Sequence, residues 1–182
     1  MTSSTPSAAN AAIKLTDPEG NPTTLGGFGA DPLVVILVRY FGCLPCQDYV
    51  RAADRARDRF TSGSRVIAVG GSADYQARWL RDTKDVTMPL LLDPAHRVRA
   101  LADLGDLTPG QLSRLGGWRN YLRAMRHGFR PQVPTVDARK APGVVVFQSD
   151  FSVAWVHRGE MMGDYPPIDD LIARVDSLTT RD

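Results

Sequence analysis

The stretch from Leu33 to Val38 is an unbroken apolar run, followed by Arg39, Tyr40, Phe41 and Gly42 and then by Cys43-Leu44-Pro45-Cys46. Such a run reads as a strand buried on both faces of a sheet. The chain must then cover that sheet from both sides, and the strand must hand its cysteine pair to the start of a helix. This junction is the arrangement of thiol–disulfide redox sites. A helix N-terminus offers partial positive charge and free N–H donors, which favour a thiolate. The thiolate is the nucleophile of disulfide exchange, and a partner three residues on can resolve the mixed disulfide. Cys43 and Cys46 are the only two cysteines of the chain. Zinc, the main rival for a CxxC, ordinarily needs four ligands. A second CxxC is missing, and His96, His127 and His157 are scattered.

Periodicity organises the rest. Ile13 to Leu25 reads as a hairpin turning at Pro18 and Gly20. The helix after Cys43 places Tyr49, Val50, Ala53, Ala56 and Phe60 on one face. Residues 65–69 predict a strand, 74–82 a short helix, 88–92 a strand, and 94–104 a helix closed by Gly105. Residues 144–148 and 153–157 form a hairpin around Ser149 and Asp150, and 168–178 a closing helix. Alternating strands and helices predict an α/β fold with a mixed central sheet flanked by helices, largely parallel, to which the final hairpin adds antiparallel strands. Residues 13–178 make one domain. Residues 1–12, rich in Ser, Ala and Thr, read as a disordered tail, and 179–182 as a second tail.

With 182 residues, 43% hydrophobic and 23% charged, the chain has the composition of a soluble globular domain. A net charge of +2 creates no overall field that calls for nucleic acid or a membrane. The longest apolar run is too short to span a bilayer. The N-terminus lacks the basic start and apolar segment of a secretory signal, so the expected location is cytoplasmic. Thiols there are mostly reduced at rest, which points to catalysis rather than a structural staple.

Residues 107–140 break the alternation. They hold seven Lys or Arg against one acid, Asp137. Trp118, Tyr121, Leu122, Met125 and Phe129 recur at helical spacing, with Arg119, Arg123, Arg126 and Arg130 on a different face. The segment predicts a basic amphipathic helix of about three turns inserted before the last hairpin. Its aromatic stripe reads as core or dimer packing, or as a lid over a substrate.

The segment Leu15 to Asn21, the apolar strand and the CxxC together resemble the start of peroxiredoxin-like thioredoxin folds of the AhpC/TSA class. Leu92 to Arg99 resembles the Leu-x-Asp-Pro segment after a later strand in those proteins. Val156-His157-Arg158 and Gly163-Asp164-Tyr165-Pro166 resemble the peroxiredoxin-like 2 subgroup. The resemblance implies a thioredoxin fold with its redox cysteines at the start of the first long helix. It also implies a proline before the penultimate strand, commonly cis and facing the cysteines. Pro142 stands there, and whether its bond is cis stays open. Peroxiredoxins carry Pro-x-x-x-Thr-x-x-Cys. If Cys46 is the last residue of that pattern, Arg39 replaces the Pro and Cys43 the Thr. If Cys43 is, Tyr40 replaces the Thr. The chain therefore looks more like a dithiol–disulfide reductase on a peroxiredoxin frame than a peroxidase.

The resulting expectation is an oxidoreductase in which Cys43 attacks a small disulfide or peroxide and Cys46 resolves. A rival reading is a redox sensor without turnover. No bound cofactor is needed, because the dithiol carries two electrons. An external reductant, thioredoxin-like or a low-molecular-weight thiol, restores it. Arg39 would steady a thiolate or an anionic substrate, or else pair with a neighbouring carboxylate. Tyr40 would donate a proton, or else pack as wall. Pro45 lies between the cysteines. Trp118, Arg119 and Arg123 would shape the substrate entrance. His157 and Arg158 read as strand-end residues without a firm role.

Overall fold

The computed structural model describes residues 6–29 and 31–179. Its elements are α1 (Pro6–Ala11), β1 (Lys14–Thr16), β2 (Pro22–Thr24), β3 (Leu33–Leu37), α2 (Leu44–Arg55), β4 (Arg65–Gly70), α3 (Asp74–Lys84), β5 (Leu90–Leu92), α4 (Arg97–Leu101), α5 (Pro109–Leu112), α6 (Leu115–Arg126), β6 (Gly143–Phe147), β7 (Val153–Arg158) and α7 (Ile168–Thr179). One seven-stranded sheet runs in the order β2-β1-β5-β4-β3-β6-β7.

β3 is central because every one of its residues is apolar. It lies parallel to β4, with Val35 opposite Ile67, and antiparallel to β6, with Val35 opposite Val145. Its side chains alternate between two cores. Val34, Ile36 and Val38 face Val50, Ala53, Leu80, Leu171 and Val175. Leu33, Val35 and Leu37 face Leu15, Leu25, Val98, Ala102 and Phe147 on the other side. Each such side chain, fully withdrawn from water, contributes about 1.5–3 kcal/mol. The sheet is mixed. Its parallel part is confined to β5, β4 and β3, so the expected mixed sheet is present, with a smaller parallel share than the alternation suggested.

The ends of the chain also differ from expectation. Of the stretch 1–12 read as a disordered tail, Pro6–Ala11 is a helix, anchored by Asn10 donating to the Phe151 carbonyl (3.0 Å); residues 1–5 lie outside the described residues. Helix α7 runs through Thr179, and 180–182 lie outside the described residues.

The inserted basic helix is present as α6, preceded by the short α5, which Thr108 and Gln111 close with a capping box. It ends at Arg126, before Phe129. Gly128 adopts φ +81°, and the amides of Gly128 and Phe129 return to the carbonyls of Met125 and Ala124. This left-handed helix end turns Phe129 back into the core.

Candidate active site

The end of β3 carries the chain into the site. Cys43 caps α2 in an extended conformation, Pro45 occupies its first turn, and the Gln47 amide donates to the Cys43 carbonyl at 2.9 Å. Proline is tolerated there because the first-turn N–H groups have no partner within the helix. The turn before it is tight. The Gly42 amide donates to Gln76 Oε1 (2.9 Å), and Gln47 Nε2 donates to the Phe41 carbonyl (2.9 Å). A Cβ on Gly42 would come within 2.6 Å of the Gln76 side chain and 2.9 Å of that of Gln132. Gln76 in turn donates to the Val133 carbonyl at 2.8 Å. The segment after α6 therefore closes over the turn that leads to the cysteines.

Both cysteines are free thiols, and neither is exposed to solvent. Beside them Arg39 is only 4% exposed and has no carboxylate partner among the described residues. Its guanidinium donates to Cys43 Sγ (3.7 Å) and to the Ala138 carbonyl. The salt bridge weighed for Arg39 is thus replaced by a thiol and a backbone oxygen. A buried cation is costly without a counter-charge. Burial alone lowers the Arg39 pKa, but the two cysteines outweigh it and raise the pKa, so the group stays charged.

The thiols separate in acidity. Burial above all, and then the hydrogen bond and charge of Cys46, push Cys43 well above the ordinary thiol range, against the pull of Arg39. Burial also pushes Cys46 up. Three groups overcome it: the Cys43 thiol donating to Cys46, the Arg39 guanidinium, and the Tyr165 hydroxyl. Together they bring Cys46 down to about 7. The pair loses its first proton from Cys46, with Cys43 retaining its own between the two sulfurs. These acidities favour Cys46, not Cys43, as the thiol that ionises first. The helix end acts on Cys43, but neighbouring side chains converge on Cys46.

This split has a sign in stability. Cys46 has a depressed pKa, so its contribution is lost as pH falls through about 7 and is present above the unfolded thiol value of about 8.5. Cys43 has a raised pKa, so it opposes folding once the unfolded thiol ionises. Relative to a Cys43→Ser/Cys46→Ser variant, the reduced protein is expected to gain stability from pH 7 to about 8.5 and to lose it above. Melting temperatures of both proteins across this range would show it; a difference independent of pH would count against the assigned acidities.

Tyr40 is buried at the end of β3. Burial and the charge of Cys43 raise its hydroxyl pKa far above the ordinary tyrosine value. The same causes raise Tyr121 on α6 to about 12. Both remain neutral O–H donors beside the thiols. The segment after β7 supplies the last wall. Gly163, at φ +69°, lies so close to Pro45 that a Cβ would overlap the proline ring. Asn120 on α6 holds this segment by donating to the Met162 (2.9 Å) and Gly163 (3.0 Å) carbonyls. The Tyr165 ring stacks on Tyr49 (4.2 Å between centroids), and its hydroxyl lies 3.3 Å from the Leu37 carbonyl.

The remaining sequence candidates scatter. Pro142 is buried at the start of β6, where its carbonyl accepts from the Gly159 amide (2.9 Å). The cis peptide bond among the described residues is Asp31–Pro32, so Pro142 is trans. Trp118 is 55% exposed on the outer side of α6 and Met125 is 54% exposed, which removes both from a wall over the cysteines. Arg119 lies in a shallow groove with Arg126 and Met161 on that outer side. Arg123 borders the same groove but pairs with Asp48 of α2 (3.3 Å). His157 pairs with Asp164 (3.6 Å) at the strand end.

Sequence reasoning missed two buried supports. Arg99, 4% exposed, donates to the Val38 (2.8 Å) and Ala141 carbonyls and so ties the end of β3 to the start of β6. Asp137 accepts from Ser72 Oγ (2.7 Å) and pairs with His96 Nε2 (3.0 Å). It fixes the turn whose Ala138 carbonyl receives Arg39. Arg99 ends the Leu92–Arg99 segment and Asp137 is the one acid of the basic insertion, but neither position signals burial in the sequence.

No protein-family model matches the chain, and no curated protein matches it. Solved structures do. A cysteine-to-serine mutant of Xanthomonas campestris peroxiredoxin Q superposes with a TM-score of 0.67 at 12% identity, covering 94% of each chain. A peroxiredoxin-like protein from Aquifex aeolicus gives 0.61 at 14% identity, over 91% of this chain and 82% of that one. A secreted Mycobacterium tuberculosis disulfide oxidoreductase homologous to E. coli DsbE gives 0.55 at 13%, over 93% and 98%. The chain has a peroxiredoxin-like thioredoxin fold. In that fold the CxxC of this chain stands where the first long helix begins, as the resemblance implied. No helix among the described residues is long and apolar enough to cross a membrane.

Proposed function

We propose that the protein is a thiol-dependent oxidoreductase that cycles Cys43 and Cys46 between dithiol and disulfide while reducing a small disulfide or peroxide. The observation that carries this reading is Arg39: a buried arginine without a carboxylate, whose nearest source of negative charge is the cysteine pair. Cys46, already acidic, attacks the substrate. With a disulfide, one sulfur leaves as a thiolate and the other stays on Cys46. Cys43 then attacks Cys46 Sγ, releases the second thiolate and gives up its proton. The Cys43 thiol is the acid available to the leaving group, while the Tyr40 and Tyr121 hydroxyls stay protonated as neutral donors. An external thiol reverses the oxidation.

A peroxide substrate is the second reading. It is favoured by the acidity of Cys46, the position that the peroxiredoxin pattern gives to its reactive cysteine. Cleavage of the O–O bond leaves a sulfenic acid on Cys46 and an alcohol or water, and Cys43 condenses with it to a disulfide and water. Arg39 and Cys43 replace the proline and threonine of that pattern, which keeps disulfide reduction first.

The test is a mild oxidation followed by intact mass and thiol counting. Both thiols should disappear with the loss of two hydrogens, return with a dithiol reductant, and support turnover of a disulfide. Two thiols that persist would overturn the dithiol reading, and a disulfide that forms without turnover would favour the sensor. Parallel assays with hydrogen peroxide separate the two substrates.

A further inference from the structure

On the far side of Tyr165 from Cys46 lies a cleft of about 630 Å³ between α2, α6 and residues 163–168. Arg51 and Arg55 enter it from α2, and Arg123 and His127 from the end of α6. One carboxylate, Asp48, faces them, and it is already engaged by Arg123 and by His127 Nδ1 (2.7 Å). Arg51 and Arg55 have no acidic partner among the described residues. Arg51 rests against the Phe129 ring (5.8 Å), and its Nε is buried without a hydrogen-bond acceptor. The Tyr49 hydroxyl is likewise buried and unpartnered, on a residue only 8% exposed. Two arginines without acidic partners, in a cleft whose one carboxylate is already engaged, favour an anionic ligand. The stacked Tyr49–Tyr165 pair, Phe129 and Pro167 add an apolar surface to the same cleft. Tyr49 follows Cys46 by three residues, a rise of about 4.5 Å along α2. Tyr165 is the partition between the cleft and the thiol.

We infer that this cleft binds the anionic, planar portion of the oxidised substrate, and that the substrate class is a small aryl or otherwise flat disulfide bearing a carboxylate. The inference rests on the dithiol reading above and narrows its substrate. The arginines hold the carboxylate and the ring lies against the apolar surface of the cleft; the Tyr165 side chain turns aside, with the 163–166 backbone in place, to bring the S–S bond to Cys46. Exchange then consumes one disulfide, forms the Cys43–Cys46 bond and releases two thiols.

Two flat aryl disulfides of different charge test it: dithiobis-nitrobenzoate, which is dianionic at neutral pH, and dithiodipyridine, which is neutral. The ratio of their rate constants should favour the anion. It should fall about tenfold in Arg55→Glu and stay within about twofold in Arg126→Glu, which makes the same charge change outside the cleft. Salt should lower the ratio in the unmodified protein, a reading that needs no variant. Nitrobenzoate itself, titrated into Cys43→Ser/Cys46→Ser by calorimetry, should bind, and Arg55→Glu in that background should weaken it. Equal effects of Arg55→Glu and Arg126→Glu, or no nitrobenzoate binding, would overturn the cleft assignment. Failure of both probes to release two thiols per protein would instead overturn the dithiol reading, with the titration still deciding the cleft.

Discussion

Cys46→Ser is expected to lower disulfide turnover by at least about 10³-fold, with the folded protein intact, because it removes the thiolate that begins the exchange. Cys43→Ser should also stop turnover but in a different way. It leaves the attacking thiol and removes the resolving one, so a mixed disulfide should accumulate on Cys46 and be visible by intact mass. The asymmetry follows from what converges on each sulfur. Cys46 receives the Cys43 thiol proton, the Arg39 field and the Tyr165 hydroxyl, while Cys43 pays for burial with little return. Trapping on Cys43 in the Cys46→Ser variant would reverse the order of attack and restore the assignment that helix position alone suggests.

Gly163→Val is expected to destabilise the protein by about 2–4 kcal/mol, combining a branched side chain at positive φ with overlap against Pro45. For a chain of this size that is a fall of roughly 5–15 °C in melting temperature. Activity should drop further than the remaining folded fraction explains, because the displaced segment carries Tyr165 away from Cys46. The control is Gly105→Ala, where a Cβ meets nothing within 4 Å; it should change stability by less than about 0.5 kcal/mol. Similar melting temperatures for the two variants would mean that residues 163–166 are not a fixed wall of the site.

The local elements were legible because their signals are local. A short apolar run between Pro32 and Arg39 reads as a buried strand, and the periodicity after Cys43 names the buried face of α2 residue by residue. The left-handed end of α6 was also written in Gly128, although the aromatic spacing carried the expected helix past it to Phe129. The stripe itself misled. Trp118, Leu122 and Met125 share helical spacing with Tyr121, yet only Tyr121 and Ala124 turn toward the core. Spacing identifies a face but not which neighbour covers it.

By itself the sequence determined the cysteine pair, the strand that delivers it and the helix that receives it, since these depend on residues adjacent in the chain. Tertiary structure alone decided the chemistry of the pair. Arg39 meets Cys43 and the Ala138 carbonyl, Tyr165 reaches Cys46 from 119 positions further on, and Gly163 closes on Pro45. A thiol's acidity is set by the charges and donors within a few ångströms in a buried, low-dielectric setting. Those groups come from segments far apart in the chain, so the more acidic sulfur was decided by packing and not by place in the motif.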